Sequence, residues 1–403
     1  IRTNISNIST EGLQIVGGAA AVTLINNTFS ENQVGIVIGG YPYLPSSLLL
    51  DGNNITNSRK GGLVLSPNSA YYLLDGEQVI LPNNFIDGKP IYWWDPDSAP
   101  NNCRDLVIDE TYEFSYLALK NCKNITIKNR NFTEQLLILS DLNEESKIEI
   151  ENSNFTGDYG IAIVNRGEFP LNVSINSVSI NTIGSSTYTQ GSLLLSIFDT
   201  SLLSENDGVY IQDAPYSKIN LFNVTVQPNV EIHNSEESEI NITNSKILEL
   251  YFHTVDSADI FIVNNSFGRE SANAGIDIDE VSNSNVKIEN NTILGYIKLY
   301  THYSNVTITN NIVSSLYTTP IYFEENFESN IIVANNNLSV IGDRTILIWD
   351  ESEYANTFIN ISDNQMSLCE GDKAIEVYIQ SNYTIVFSNN NAFVDVEECE
   401  QHG

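Results

Sequence analysis

The chain reads as an all-β protein, a right-handed parallel β-helix (solenoid) of roughly 14–16 coils with loop insertions. Two observations predict this. First, a phrase of the form apolar-x-apolar-x-Asn-x-x-apolar recurs along the sequence. It is VTLINNTF from Val22, ITIKNRNF from Ile125, IEIENSNF from Ile148, INITNSKI from Ile240 and IFIVNNSF from Ile260. It continues as VKIENNTI from Val286, VTITNNIV from Val306, IIVANNNL from Ile331 and INISDNQM from Ile359. Second, the spacing is that of a repeat architecture. The fifth position of successive copies falls at Asn244, Asn264, Asn290, Asn310, Asn335, Asp363 and Asn389, steps of 20, 26, 20, 25, 28 and 26 residues. A leucine-rich repeat has a similar length, but its Leu-x-x-Leu-x-Leu pattern and helical half are absent.

Each part of the phrase has a physical task. The first four residues alternate apolar and polar, the period of a half-buried strand. Ile and Val dominate the apolar positions and suit a pleated surface. Asn tolerates left-handed backbone and suits a tight corner, after which one more apolar residue turns inward. One such unit cannot close a core alone. Stacked about 4.8 Å apart, units pair their strands in parallel and share an interior. The corner asparagines are expected to superimpose and form an amide ladder.

Nothing resembles a linker, so residues 1–403 read as a single β-helix domain, with irregular insertions near 67–123 and 182–213. The sequence has no initiator Met and no signal peptide, and reads as a processed or partial chain. No run of 18 apolar residues marks a transmembrane helix. The net charge of −33 comes from 51 acidic and 18 basic residues, which leaves little to neutralise phosphates and argues against nucleic acid. It fits a self-repelling surface protein. Ca²⁺ is the cation such a chain would hold, with Asp277, Asp279 and Glu280, or Asp95 and Asp97, as candidate oxygens. Neither group matches an EF-hand loop or a calcium-binding nonapeptide, and the expectation is no cofactor. Four His and one Met supply no copper site.

The four cysteines fall as Cys103 with Cys122 and Cys369 with Cys399, each pair separated by close to one coil. Adjacent coils bring Cα atoms within disulfide reach, and two disulfides imply an oxidising compartment. Asn-x-Ser/Thr occurs sixteen times: at Asn4, Asn7, Asn26, Asn54, Asn124, Asn131, Asn154, Asn172, Asn223, Asn241, Asn264, Asn290, Asn305, Asn337, Asn360 and Asn382. Composition alone predicts about nine such sites. The excess, the cysteines and the missing membrane span point to a secreted, extracellular N-glycoprotein, although the corner motif also favours Asn followed by small hydroxyl residues.

The phrase is interrupted between Pro67 and Asn124, where Tyr92, Trp93 and Trp94 could present a carbohydrate-binding platform or pack an insertion on the coil below. Here Asn83-Asn84-Phe85-Ile86-Asp87-Gly88-Lys89-Pro90-Ile91-Tyr92 resembles the NNF-DGKP-Y element of NosD-like β-helix proteins common on archaeal cell surfaces. LALKNCKNITIKN from Leu117 is similar to the coil that follows it in that family, and the remaining repeats resemble its degenerate coils. The resemblance implies a right-handed parallel β-helix, exported and sometimes associated with carbohydrate. One branch of the family assists copper-enzyme maturation, and the scarcity of His and Met separates this chain from it.

Many β-helices cleave acidic polysaccharides, which requires paired carboxylates, or a cation with a basic residue. Strand alternation puts Asp277 and Asp279 on one face. The Asn-Thr-Asp, Asp-Asp, Gly-His-Gly and Arg-x-Lys set of polygalacturonases is absent, and His233, His253, His302 and His402 lack its flanks. His253 and His302, beside Tyr251 and Tyr300, read as packed or surface residues. No catalytic residue is assigned.

A solenoid exposes an open coil at each end unless it is capped, and no amphipathic helix is available as a lid. Either a longer protein supplies the flank, or neighbouring subunits cap one another head to tail and build a homo-oligomer, filament or lattice. The expected function is therefore a secreted, N-glycosylated structural protein of the cell surface or of an extracellular filament. The alternatives are a polysaccharide-binding or polysaccharide-cleaving β-helix and a virion spike.

Overall fold

The computed structural model describes residues 4–15, 21–39, 47–65, 77–182, 186–268, 274–316, 318–341, 344–350, 356–369, 373–380 and 382–394. They form a nearly all-β parallel solenoid of about 14 turns. The chain divides into two compact units, Ile1–Gln212 and Asp213–Gly403.

In the second unit the phrase builds one continuous ladder. Strands Lys218–Phe222, Glu239–Thr243, Asp259–Val263, Asn285–Glu289, Asn305–Thr309, Asn330–Ala334, Asn356–Ser362 and Asn382–Ser388 pair in parallel. Register aligns the apolar positions: Ile240, Ile260, Val286, Val306, Ile331 and Ile359 form one buried column, and Ile242, Ile262, Ile288, Ile308, Val333 and Ile361 another. Burying each such side chain contributes about 1.5–3 kcal/mol before conformational entropy is counted. Because strand side chains alternate, a one-residue slip would turn both columns to solvent, so the columns fix the register.

The corner follows from the fifth position. Asn244, Asn264, Asn290, Asn310, Asn335, Asp363 and Asn389 all adopt left-handed φ between +52° and +58°. That region costs most residues about 1–2 kcal/mol and is tolerated by Asn and Asp. The ladder, however, belongs to the next residue. Asn265, Asn291, Asn311, Asn336, Asn364 and Asn390 are joined by Nδ2 to Oδ1 bonds of 3.0–3.1 Å. Each Oδ1 also accepts the backbone N–H of the ladder residue in the coil before, at 2.8–3.0 Å. Each of the six donates besides to a carbonyl oxygen such as that of Ile242, Ile288 or Ile361. The expected amide ladder thus exists one residue later than the phrase suggested. The fifth residue turns the chain outside the core, and the sixth is buried, or half-buried at Asn390.

The first unit starts with the same geometry. Asn4–Ser6, Thr28–Ser30, Asn54–Thr56 and Phe85–Ile86 pair in parallel, and Asn27, Asn53 and Asn84 make a second ladder. Then the chain reverses. Phe85–Ile86 pairs antiparallel with Lys89–Trp94 through a two-residue turn, Asp87 at φ +49° and Gly88 at φ +79°. Both positive φ values are those of a primed hairpin turn. From Lys89–Trp94 a new parallel stack proceeds through Tyr116–Lys120, Leu136–Ser140, Ile161–Asn165, Thr187–Gln190 and Val209–Gln212. The DGKP element is therefore a reversing joint between two stacks of opposite strand direction.

The reversal leaves strand Gly61–Leu65 at an edge of its three-stranded sheet. Glu134, 5 % exposed, takes the place of a missing strand: its carboxylate accepts the N–H of Gly62 at 2.9 Å and of Leu63 at 3.3 Å. Gln135 accepts from Leu65 at 3.3 Å. Burial lifts the Glu134 carboxyl to about 7 against the opposing pull of those N–H groups, with Asp87 and Asp158 adding to the rise.

Residues 182–213 are not a lateral insertion. Thr187–Gln190, Leu193–Phe198, Ser201–Ser204 and Val209–Gln212 are regular rungs, with only 183–185 outside the described residues. The phrase is present there in disguise, as LSIFDTSL from Leu195, with Asp199 at the corner at φ +47° and the Thr200 hydroxyl in the ladder position. The stretch 67–123 is irregular in part, holding the joint and a 3-10 turn at Pro100–Cys103, but Tyr116–Lys120 already belongs to the stack.

Candidate functional site

The sixteen sequon asparagines fall in two settings. Asn7, Asn26, Asn124, Asn223, Asn264 and Asn290 sit on left-handed corners. Asn4, Asn54, Asn131, Asn154, Asn172, Asn241, Asn305, Asn337, Asn360 and Asn382 sit in strands, where Asn and the hydroxyl residue two places on share a face. Fourteen are exposed, and Asn241 and Asn360 are half-buried. None occupies a ladder position, so no acceptor amide competes with the core. Some are already engaged: Asn154 donates to Asn131 at 2.9 Å from the adjacent coil, and Asn124 donates to Asp105 at 2.9 Å. Asn223, Asn264 and Asn290, with Thr225, Ser266 and Thr292, line one polar cleft of about 450 Å³ in the second unit.

Cys103 and Cys122 are disulfide-bonded, with Cα atoms 4.8 Å apart. Cys369 is also disulfide-bonded, and Cys399 lies outside the described residues.

The three aromatic residues do not form an open platform. Along Lys89–Trp94 the alternation sends Trp93 into the core cluster with Ile91 and Tyr116, and sends Tyr92 and Trp94 outward. Tyr92 stacks on Trp94 at 5.1 Å, and Tyr112 meets Trp94 edge-on at 5.6 Å. Trp93 and Trp94 are each 6 % exposed, too little to offer a flat sugar-binding surface. Instead Tyr92, Trp93, Trp94, Asp95, Ser98 and Tyr112 help line a cavity of about 390 Å³. Ser98 and Tyr112 escaped sequence reasoning, and Asp95 entered it only as a calcium candidate, because the turns that carry them have no repeat period.

In the second unit, outward residues of Thr225–Glu236, Lys246–Asp256, Gly275–Ser282, Tyr296–His302 and Ile321–Glu324 form two columns. Glu231, Tyr251, Asp277, Lys298 and Tyr322 are successive register partners, and beside them run His233, His253 and Asp279. Asp279 bonds His253 Nδ1 at 2.9 Å, Glu231 bonds His233 Nε2 at 3.1 Å, and Lys298 pairs with Glu324 at 2.6 Å. Asp277 is half-buried among these side chains, and its Oδ1 has no hydrogen-bond partner. Burial raises its carboxyl, Lys298 pulls it down, and Asp279 and Glu324 push it up again. Tyr251 is raised by burial and by its 2.6 Å bond to Glu249. His302 is half-buried, 5.0 Å from the Tyr300 ring, and His402 lies outside the described residues.

The calcium candidates do not converge. Glu280 turns away from Asp277 and Asp279 at a corner of φ +54° and accepts from Thr254 at 3.1 Å. Asp95 Oδ1 is taken by the N–H groups of Asp97 and Ser98 and by the Ser98 hydroxyl. Among the described residues no three His, Cys, Asp or Glu side chains form a metal-holding group. Among the described residues no helix is long and apolar enough to cross a membrane.

No protein-family model, no curated protein and no solved structure matches this chain.

Proposed function

We propose that the chain is a secreted, N-glycosylated structural protein of NosD-like type, displayed on a cell surface or built into an extracellular filament through its coil ends. The observation that carries this reading is the placement of the sequons: sixteen acceptors, none buried and none in the buried asparagine ladders. A glycan coat could therefore be added to the folded solenoid without breaking a rung of the core, although Asn154, Asn241 and Asn305 each donate to an asparagine of the neighbouring coil at the surface. The disulfide at Cys103–Cys122 fits the oxidising compartment that such a coat requires.

Peptide mapping by mass spectrometry of the protein secreted from its own host tests the coat. Glycans on a majority of the exposed sequons are expected, and a protein bare at all of them overturns it. Assembly is tested separately by light scattering of the purified chain, and a species that stays monomeric at high concentration overturns that part.

A second reading, a polysaccharide-cleaving solenoid, is favoured by one observation. Asp277, with its raised carboxyl, lies two residues from Asp279 on one strand face. Two residues along a strand set the backbone positions about 7 Å apart, a scale comparable with the roughly 6.5–9.5 Å between the carboxyl groups of inverting acid and base pairs. Release of reducing ends from neutral oligosaccharides, abolished by Asp277→Asn, is its expected mark. Equal activity in that variant, or none in the unsubstituted chain, rejects it.

A further inference from the structure

Stacking brings some of the sequons face to face. Two pairs of the sixteen fall in direct coil-to-coil register. Asn131 and Asn154 are register partners in strands Asn131–Phe132 and Asn154–Phe155. Asn264 and Asn290 follow the partnered residues Val263 and Glu289, and the Asn264 N–H donates to the Glu289 carbonyl oxygen at 3.1 Å. All four asparagines are exposed. Adjacent strands lie about 4.8 Å apart, so each pair presents two acceptors at that separation. In the first pair the amides touch: Asn154 Nδ2, the atom that takes a sugar, donates to Asn131 Oδ1 at 2.9 Å.

Neither pair is free to splay, because the middle residue of each sequon is a core anchor in contact with its counterpart. Phe132 and Phe155 are buried and stack with centroids 4.5 Å apart and planes 1° from parallel. Asn265 and Asn291 are joined by a 3.1 Å rung of the ladder, and the Asn265 N–H donates to Asn291 Oδ1 at 2.8 Å. Moving the acceptors apart would break these contacts in the interior, where an orphaned polar group is costly.

N-glycosylation joins Nδ2 to the anomeric carbon of an activated-glycan donor. The donor's phosphate leaving group departs with the bonding electrons, and one Nδ2 proton passes to a base of the transferase. The product is bulky. A pyranose with its ring substituents is wider than one strand spacing, so two first sugars on such a pair fit only flat against each other. That arrangement freezes the linkage torsions of both, at a cost in conformational entropy. A transferase must also enclose the acceptor and its hydroxyl residue, in space the neighbouring glycan occupies. Where transfer precedes folding, a doubly modified chain meets the same clash when the two coils stack.

We propose that each pair, Asn131 with Asn154 and Asn264 with Asn290, takes one glycan between its two acceptors and never two. This exclusion rests on the reading of the chain as an N-glycoprotein. Its ceiling is fourteen glycans per chain, sixteen acceptors less one from each pair.

Site occupancy is measured by peptide mass spectrometry on the full chain secreted from its own host. Within each pair the two occupancies should sum to no more than one. Acceptors are then silenced through their hydroxyl residues, by Thr133→Ala or Thr156→Ala in the first pair and Ser266→Ala or Thr292→Ala in the second. All four hydroxyl residues are exposed, and every asparagine stays in place. Silencing the fuller member should raise the occupancy of the other at least twofold. Asn337, whose register partners are Ile312 and Gln365, should not respond. A pair summing above one, or an intact chain with more than fourteen glycans, would overturn the exclusion, because some molecules then carry both. So would a partner that does not respond to silencing, or a pair bare at both members while Asn337 is filled. A chain bare at all sixteen sequons overturns the glycoprotein reading itself, and the exclusion falls with it.

Discussion

Replacing Asn311 by Ala separates the two adjacent asparagines of the repeat more sharply than any other change. Asn311 is 1 % exposed and its side chain makes four hydrogen bonds: it donates to Ile288 O at 2.9 Å and to Asn336 Oδ1 at 3.0 Å, and accepts from the N–H and the Nδ2 of Asn291 at 2.9 Å and 3.0 Å. Alanine deletes all four and strands two donors of Asn291 and the Ile288 carbonyl in the interior. Each orphaned buried group costs about 1–3 kcal/mol. Allowing for relaxation, the expected loss is about 3–5 kcal/mol, at the upper end for single substitutions. In a unit of this size that lowers the melting temperature by on the order of 10 °C. Its neighbour Asn310 is exposed at φ +58°, so Asn310→Ala costs only the left-handed backbone, about 1 kcal/mol. Asn310→Gly costs close to nothing.

Urea and thermal unfolding followed by circular dichroism read all three variants in the full chain. Asn291→Ala combined with Asn311→Ala should cost less than the two singles added together, because the donors orphaned by one are removed by the other. Equal losses for Asn310→Ala and Asn311→Ala would refute the division of labour, and additive losses at 291 and 311 would refute the ladder.

Three further outcomes are expected. Glu134 keeps its proton to about pH 7 when folded, whereas an unfolded glutamate releases it near 4.5, so its contribution is full below that value and fades up to about 7. Stability should fall by about 3 kcal/mol over that interval, and Glu134→Gln should flatten this part of the urea-midpoint profile; an unchanged slope contradicts the buried edge cap. Cys103→Ser with Cys122→Ser opens a 19-residue separation and should lower stability by about 3 kcal/mol, read by urea denaturation without reductant. Gly88→Ala meets open space and costs about 1 kcal/mol for its φ of +79°, whereas the Cβ of Gly191→Ala collides with the Asn165 carbonyl oxygen. Melting temperatures should rank the second well below the first.

The coil was legible because its columns are local: alternation and a recurring Asn state strand, corner and inward anchor within eight residues. Where the corner chemistry changed, legibility failed although the fold did not. At Ser177 and Asp199 other residues take the left-handed corner, and Thr200 takes the ladder place with a hydroxyl that accepts from the Val178 N–H at 3.4 Å. The physics is the same and the spelling differs, so 182–213 reads as an insertion. The joint was written plainly in Asp87-Gly88 between apolar flanks, a strong hairpin signal, yet an antiparallel step is unexpected in a parallel repeat. Glu134 was not legible at all. Its partners lie 71 and 72 residues away, and no local pattern announces that a carboxylate replaces a strand.

The doubled asparagine explains how one short phrase can carry a core element and a surface element without conflict. In Asn26-Asn27-Thr28, Asn264-Asn265-Ser266 and Asn290-Asn291-Thr292 the first Asn is exposed at a positive φ and the second is at most 8 % exposed, in a ladder. A sequon accepts any residue but proline at its middle position, so the ladder Asn fits inside it and the acceptor remains outside. Shifting the sequon by one residue would place the acceptor at the buried position, where a sugar has no room and the rung would lose its donors. Selection for the ladder and selection for surface acceptors therefore act on different residues of the same tripeptide. A third requirement, the left-handed corner, is met by the acceptor itself, because Asn tolerates that backbone and an attached glycan leaves its φ unchanged. On this reasoning, corner sequons can be gained or lost along the solenoid by changing only the hydroxyl residue that follows the ladder Asn, at no cost to the stack.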